Sequence, residues 1–360
     1  MVNKLSFLCL LVFLAIGKSF AQKKIISFDN PKIRYEGRMN FSSDAAILYW
    51  SGSNINLNFK GSEISAILKD SDTANYYNVI IDDSIVSKIQ LNTSKQTYLL
   101  ASGLSNKKHK IQLFKRTGWD KGNTTFYGFE TNSSIKLEAK SKPKKRKIEF
   151  YGNSITTGHG IEDNSSKDSG SGHFENNYLT YAALTARHFD SQYSCIAKSG
   201  IGIMVSWFPK IMPEVYDLIN PNNPNSKWDF KKYTPDVVVI NLLQNDSWLV
   251  KLPKHEQFIN RFGTQAPTKD FIITSYEKFV KSIRLKYPNA HIICVLGNMD
   301  ITKEGSLWPS YVTKAVENLN DKKIYTHFFA YKNTAGHPNV SEQSAMANSL
   351  IAFINENIKW

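Results

Sequence analysis

Four short polar segments hold the residue types that could act on a substrate, and each closely follows an apolar run. Gly152-Asn153-Ser154-Ile155-Thr156-Thr157-Gly158 comes directly after the run at 147–151. A serine there presents its hydroxyl at the open edge of a sheet, where backbone N–H groups at the start of the next turn favour developing negative charge. Gly152 lets the backbone turn sharply and leaves the hydroxyl accessible. Alone, the segment reads as a serine capping a helix. It is not alone. Ser199-Gly200-Ile201-Gly202 follows 193–197, Leu243-Gln244-Asn245-Asp246 follows 236–241, and Gly336-His337-Pro338-Asn339 comes after 323–328. Serine, glycine, asparagine and histidine thus fall, in that order, after four of the five apolar runs in this half of the chain.

The elements that must position them can be read from the same runs. Strands are expected at 147–151, 193–197, 236–241, 291–296 and 323–328, alternating with amphipathic helices. The third contains Val237-Val238-Val239-Ile240, a β-branched run suited to a strand covered on both faces. Ile272, Tyr276, Phe279, Val280 and Ile283 form a helical stripe that stops at Pro288-Asn289. A last helix is expected from about Asn339, capped with Glu342, burying Ala347, Leu350, Ile351 and Ile354. Such alternation predicts a doubly wound, flavodoxin-like five-stranded parallel sheet over 147–360, with its site beyond the strands' carboxyl ends.

Residues 22–139 differ. Ile55, Leu57 and Phe59 alternate with Asn56 and Asn58, and Ile135 and Leu137 with Lys136 and Glu138. Period two separated by Gly/Ser/Asn/Asp turns predicts an antiparallel, jelly-roll-like β-sandwich of roughly ten strands, each with one wet face. A lysine-rich linker is expected at 140–146. Residues 1–21 have a basic start, an apolar core and small residues at Ser19 and Ala21, the pattern of a secretory signal peptide cut before Gln22. Its removal takes Lys4 and Lys18 and lowers the formal charge from +14 to +12.

Composition narrows the function. A chain with 41% hydrophobic and 21% charged residues buries a real core, so disorder is excluded. With only Cys195 and Cys294 beyond the leader, neither a disulfide scaffold nor a C-x-x-C zinc site is expected, and both thiols read as core. No nucleotide-binding glycine motif occurs, and the basic linker has no nucleic-acid motif beside it. No stable membrane anchor is expected.

The four segments resemble those of the SGNH (GDSL-like) hydrolase superfamily. The resemblance narrows to carbohydrate esterase family two, which joins an N-terminal sandwich to an SGNH domain and deacetylates plant polysaccharides. Lys115-Arg116-Thr117, Phe126-Tyr127-Gly128-Phe129-Glu130, Glu175-Asn176-Asn177-Tyr178, Met212-Pro213-Glu214-Val215-Tyr216-Asp217 and 235–241 extend the likeness over nearly the whole mature chain. It implies Ser154 as nucleophile, His337 as its base, and the backbone N–H of Gly200, the Asn245 amide and the Ser154 N–H as oxyanion donors. It implies no metal or organic cofactor, and an acetylated polysaccharide or oligosaccharide as partner.

Three departures bear on this. Asn153 stands where the family has Asp. Leu243 and Gln244 replace Gly and Thr, so larger side chains are expected in the pocket wall. Thr334 occupies the usual acid position, three residues before the histidine. A Ser154–His337 dyad is therefore expected, with Asp300 as an alternative acid. Trp248 is a candidate sugar-stacking residue, with Trp207 and Trp308 behind it. His159 and His173 read as structural or solvated, and Asp246 as a loop brace. Two further readings stay open: an SGNH esterase or lipase for non-carbohydrate esters, and a glycan-binding protein without catalysis. The charge makes an anionic glycan a substrate hypothesis.

Overall fold

The computed structural model describes residues 23–132, 135–165 and 167–360; the expected signal peptide lies outside them. Two antiparallel six-stranded sheets form the N-terminal unit. In one, the order is Met39–Phe41, Ala46–Leu48, Thr124–Asn132, Ile64–Asp70, Gln96–Ala101, with Lys23–Ser27 also paired to Thr124–Asn132. In the other it is Lys136–Leu137, Asn54–Lys60, Lys108–Lys115, Tyr76–Ile81, Ser84–Gln90, with Arg34–Glu36 also on Asn54–Lys60. Ile55, Leu57 and Phe59 point into the core between the sheets, with Leu68, Val79, Leu113 and Phe126. The alternating asparagines do not all face water. Asn54 and Asn56 are buried, and Asn56 Nδ2 donates to Asn54 Oδ1 at 2.6 Å. Burial on both faces is the physical reason that the alternation understates: this sheet packs against a second unit.

That unit is built on five parallel strands in the spatial order Ser191–Ala197, Arg146–Gly152, Val237–Asn241, His291–Leu296, Ile324–Phe328. The chain moves outward to one side after Arg146–Gly152 and then returns to the other, so the switch point lies beyond that strand's carboxyl end. Val238 and Ile240 enter one core layer, with the helices Lys269–Lys286 and Trp308–Leu319. Val237 and Val239 enter the opposite layer, with Tyr181–His188 and Val340–Asn357. Asn339 caps the last helix in the expected box with Glu342. Cys195 and Cys294 are free and buried, and burial raises both thiols to about 12. No helix among the described residues is long and apolar enough to cross a membrane.

Candidate active site

Ser154 opens the short helix Ser154–Thr157 directly beyond the first parallel strand. Asn153 caps it, its side chain accepting the Ile155 N–H at 3.1 Å. Asn153, where the resemblance leads one to expect Asp, thus caps the helix through its amide oxygen. A Cβ on Gly152 would lie 2.0 Å from Thr156 Oγ1, so the turn admits only glycine. The helix that follows His337 is docked on this turn, because Gln343 Nε2 donates to Ile155 O at 2.8 Å. No hydrogen bond joins Ser154 and His337 among the described residues.

The second and third strand ends supply donors. The Gly200 N–H has no partner among the described residues, while Gly200 O accepts from Trp207 N at 3.0 Å. Asn245 lies in the helix Gln244–Leu249, its Nδ2 donating to Ile201 O at 2.8 Å and its Oδ1 accepting from Trp207 Nε1 at 3.1 Å. The indole therefore fixes which end of the amide is the donor, and one N–H remains for a ligand. Asp246 braces the loop as expected: its buried carboxylate accepts the N–H groups of Ile203, Met204 and Val205. Burial raises it to about 6 against the pull of those three donors.

At the fifth strand end the structure departs from the expected dyad. His337 Nδ1 lies 2.9 and 2.8 Å from the two oxygens of Asp168, and Oδ1 also accepts the His337 backbone N–H at 3.1 Å. The hydrogen bond from the His337 imidazole holds this carboxylate down at about 2. Asp168 belongs to the polar loop after Ser154 and sits at φ 53, a left-handed conformation that Asp tolerates. It fits because position 336 is glycine: a Cβ there would come within 3.2 Å of its carboxylate carbon. Thr334 faces elsewhere, bonded to Glu342 and Lys332. Asp300 is no substitute acid either, since its carboxylate accepts from Trp248 Nε1 and Gln244 Nε2.

Of the two readings open for His159, structural or solvated, the structure shows a packed ring. Its ring lies 4.4 Å from that of His337, tilted by 47°, and is partly buried rather than solvated. Burial first, then His337, lowers its pKa to about 4, so it adds no charge beside His337 at neutral pH. His159, Asp168 and His337 each offer one ligand atom within 4.8 Å of the others, the one such cluster among the described residues. Its His337 Nδ1 already faces Asp168.

Of the two larger side chains expected in the pocket wall, Leu243 is fully buried in the core and Gln244 is turned to Asp300. Trp308 is core, Trp207 is 43% exposed, and Trp248 is held at the rim by Asp300. The sandwich reaches the same rim through the turn Trp119–Lys121, where Asp120 lies 3.7 Å from Lys198, next to Ser199-Gly200. The missed residue, Asp168, had no spacing signature; its only signal was an acidic, glycine-rich loop leaving the serine turn.

A family model described as "Carbohydrate esterase 2 N-terminal" matches residues 35–143. The chain is 37% identical to the cellulase/esterase CelE of Acetivibrio thermocellus over 92% of its own length, but spans 40% of that longer protein. It is 23% identical to an acetylxylan esterase / glucomannan deacetylase of Cellvibrio japonicus, covering 93% of this chain and 91% of that one. Among solved structures, it matches a family two carbohydrate esterase from Clostridium thermocellum in complex with cellohexaose. The identity is 36%, the TM-score 0.80, and the coverage 90% of this chain and 98% of that one. With 36% identity over 98% of that neighbour and the same two-unit fold, the chain belongs to carbohydrate esterase family two.

Proposed function

We propose that the chain is an exported serine esterase that removes O-acetyl groups from a polysaccharide or oligosaccharide. The observation that carries this is the Asp168–His337 pair, packed against His159, whose backbone N–H donates to Ser154 O at 3.1 Å. The names of the relatives support a carbohydrate ester as substrate, and the first 21 residues support export. The carboxylate on His337 removes the missing acid as a reason to prefer a binding-only protein.

In the proposed reaction Ser154 Oγ attacks the acetyl carbonyl while His337 Nε2 takes its proton. Asp168 keeps the other imidazole proton on Nδ1 and stabilises the ring when charged. The oxyanion is received by the N–H groups of Ser154 and Gly200 and by Asn245 Nδ2. Collapse expels the sugar hydroxyl, which takes the proton back from His337. Water, deprotonated by the same imidazole, then attacks the acetyl-serine, and acetate leaves as Ser154 recovers its proton.

The test is acetate release from 4-nitrophenyl acetate and from acetylated xylans, neutral and uronate-bearing, by the mature protein and Ser154→Ala in parallel. Activity is expected in the parent and lost in the variant. Activity surviving in Ser154→Ala would remove the serine mechanism, and equal rates on both xylans would remove the preference for anionic glycan that the +12 charge suggests.

A further inference from the structure

The loop that carries Asp168 belongs to the hydrolase unit in sequence, yet its base is held by the sandwich. Arg116 lies just beyond the strand Lys108–Lys115 and is 2% exposed. Its guanidinium pairs with Glu162, donates through Nε to Glu175 O at 3.1 Å, and donates through Nη1 to Asn78 Oδ1 at 3.1 Å. Its own carbonyl accepts the Asn177 N–H at 2.9 Å. Asn78 Nδ2 then donates to Asn176 Oδ1 at 3.1 Å, and the Gly118 N–H to Glu175 Oε1 at 2.7 Å. One arginine thus grips both stems of the loop, Glu162 on the way out and Glu175 to Asn177 on the way back.

The stems are tied to each other as well. Glu162 N donates to Phe174 O at 3.1 Å, and Asn176 Nδ2 to Glu162 Oε1 at 2.7 Å. Within the loop, Asp163 Oδ2 accepts the Ser169 N–H at 2.7 Å, drawing the Asp168 turn toward the base. A buried guanidinium is costly unless its donors are satisfied. Here the donors on Nε, Nη1 and Nη2 are all spent on the stems or on the side chain beside them. That expenditure is hard to explain by docking alone, because the Arg38–Glu149 pair already joins the two units elsewhere.

We infer that the sandwich is a positioning element for the catalytic acid, with Arg116 holding the Glu162–Asn177 loop so that Asp168 meets His337 Nδ1. The inference rests on the proposed reading of Ser154, His337 and Asp168, and it gives the sandwich a part in turnover separate from any glycan binding. Arg116 acts through the loop and touches no reacting atom.

Kinetics of the full chain test it, using Arg116→Met, Asp168→Asn and the double variant on 4-nitrophenyl acetate, with melting temperatures alongside. Asp168→Asn is expected to lower kcat on the order of a hundred- to ten-thousandfold, as loss of the orienting acid does in related triads. Arg116→Met is expected to lower kcat about tenfold at unchanged KM, because the acid is displaced rather than removed. The double variant should be no slower than Asp168→Asn, since a misplaced asparagine has little left to lose. Glu162→Gln, at the more exposed end of the pair, gives the same cycle should Arg116→Met fail to fold. Losses that multiply in the double variant, or parent kcat in the single variants, overturn the inference. Neither touches the serine reading, which fails only if Ser154→Ala stays active.

Discussion

At the scale of single residues, the proposed mechanism needs the Asn245 amide nitrogen to face the ester, and the Trp207 indole and the Ile201 carbonyl together hold it that way. Trp207→Phe keeps most of the ring and removes the Nε1–H that Asn245 Oδ1 accepts. Only the Ile201 carbonyl then opposes a flip, and the amide can turn its oxygen toward the pocket for part of the time. Removing an oxyanion donor outright costs about 10²–10³ in turnover, so a donor merely freed to rotate should cost about tenfold. The expected result is a kcat roughly tenfold down on 4-nitrophenyl acetate, with KM and melting temperature near the parent's; parent kcat would show that the amide needs no such lock. The places of Ser154, Gly200 and Asn245 were legible because each comes shortly after a parallel strand, and that of His337 because it just precedes the capped last helix. Asp168 was not, because a loop residue has no address until the chain folds. What places it is Gly336 beneath it and Arg116 in another unit, both far away in sequence.

At the scale of elements, periodicity located all five parallel strands to within about two residues. It was blind to what covers a polar face, as Asn54 and Asn56 show, because the covering unit lies elsewhere in the chain. Leu243 shows the same limit at a helix start. It precedes the helix Gln244–Leu249 at φ 74, where a side chain costs about 1–2 kcal/mol that glycine would not. Its side chain is nonetheless fully buried, among Ile201, Leu242 and their neighbours. Deleting a buried leucine side chain to alanine costs about 2.7–5 kcal/mol, which exceeds the backbone relief. Leu243→Gly should therefore destabilise by a net of about 1–4 kcal/mol in urea unfolding. Increased stability would mean that the strain outweighs the packing. The departure that looks in sequence like a remodelled pocket wall is in the structure an exchange of backbone ease for core volume.

For the whole molecule, the question is whether sandwich and hydrolase unit are two bodies or one. Arg38 of the sandwich and Glu149 of the first parallel strand are both fully buried, 3.2 Å apart. Glu149 also accepts from Ser194 at 2.9 Å, and from Tyr151 and Tyr287 at 2.7 Å each. Arg38 donates to the carbonyls of Tyr216 and Leu218 and lies over the rings of Trp228 and Phe230. Removing the arginine leaves the buried carboxylate without its partner, and breaking such a pair from one side costs about 3–5 kcal/mol. Arg38→Met should thus lower the melting temperature of the full chain by several degrees. Arg38→Met/Glu149→Gln should recover part of that loss, because the uncompensated charge goes with the glutamate. Calorimetry of the parent should show one transition, since neither unit can leave the other without baring this pair. Two transitions, with Arg38→Met shifting only the first, would mean instead that the sandwich unfolds on its own and that Asp168 loses its support before the hydrolase core melts.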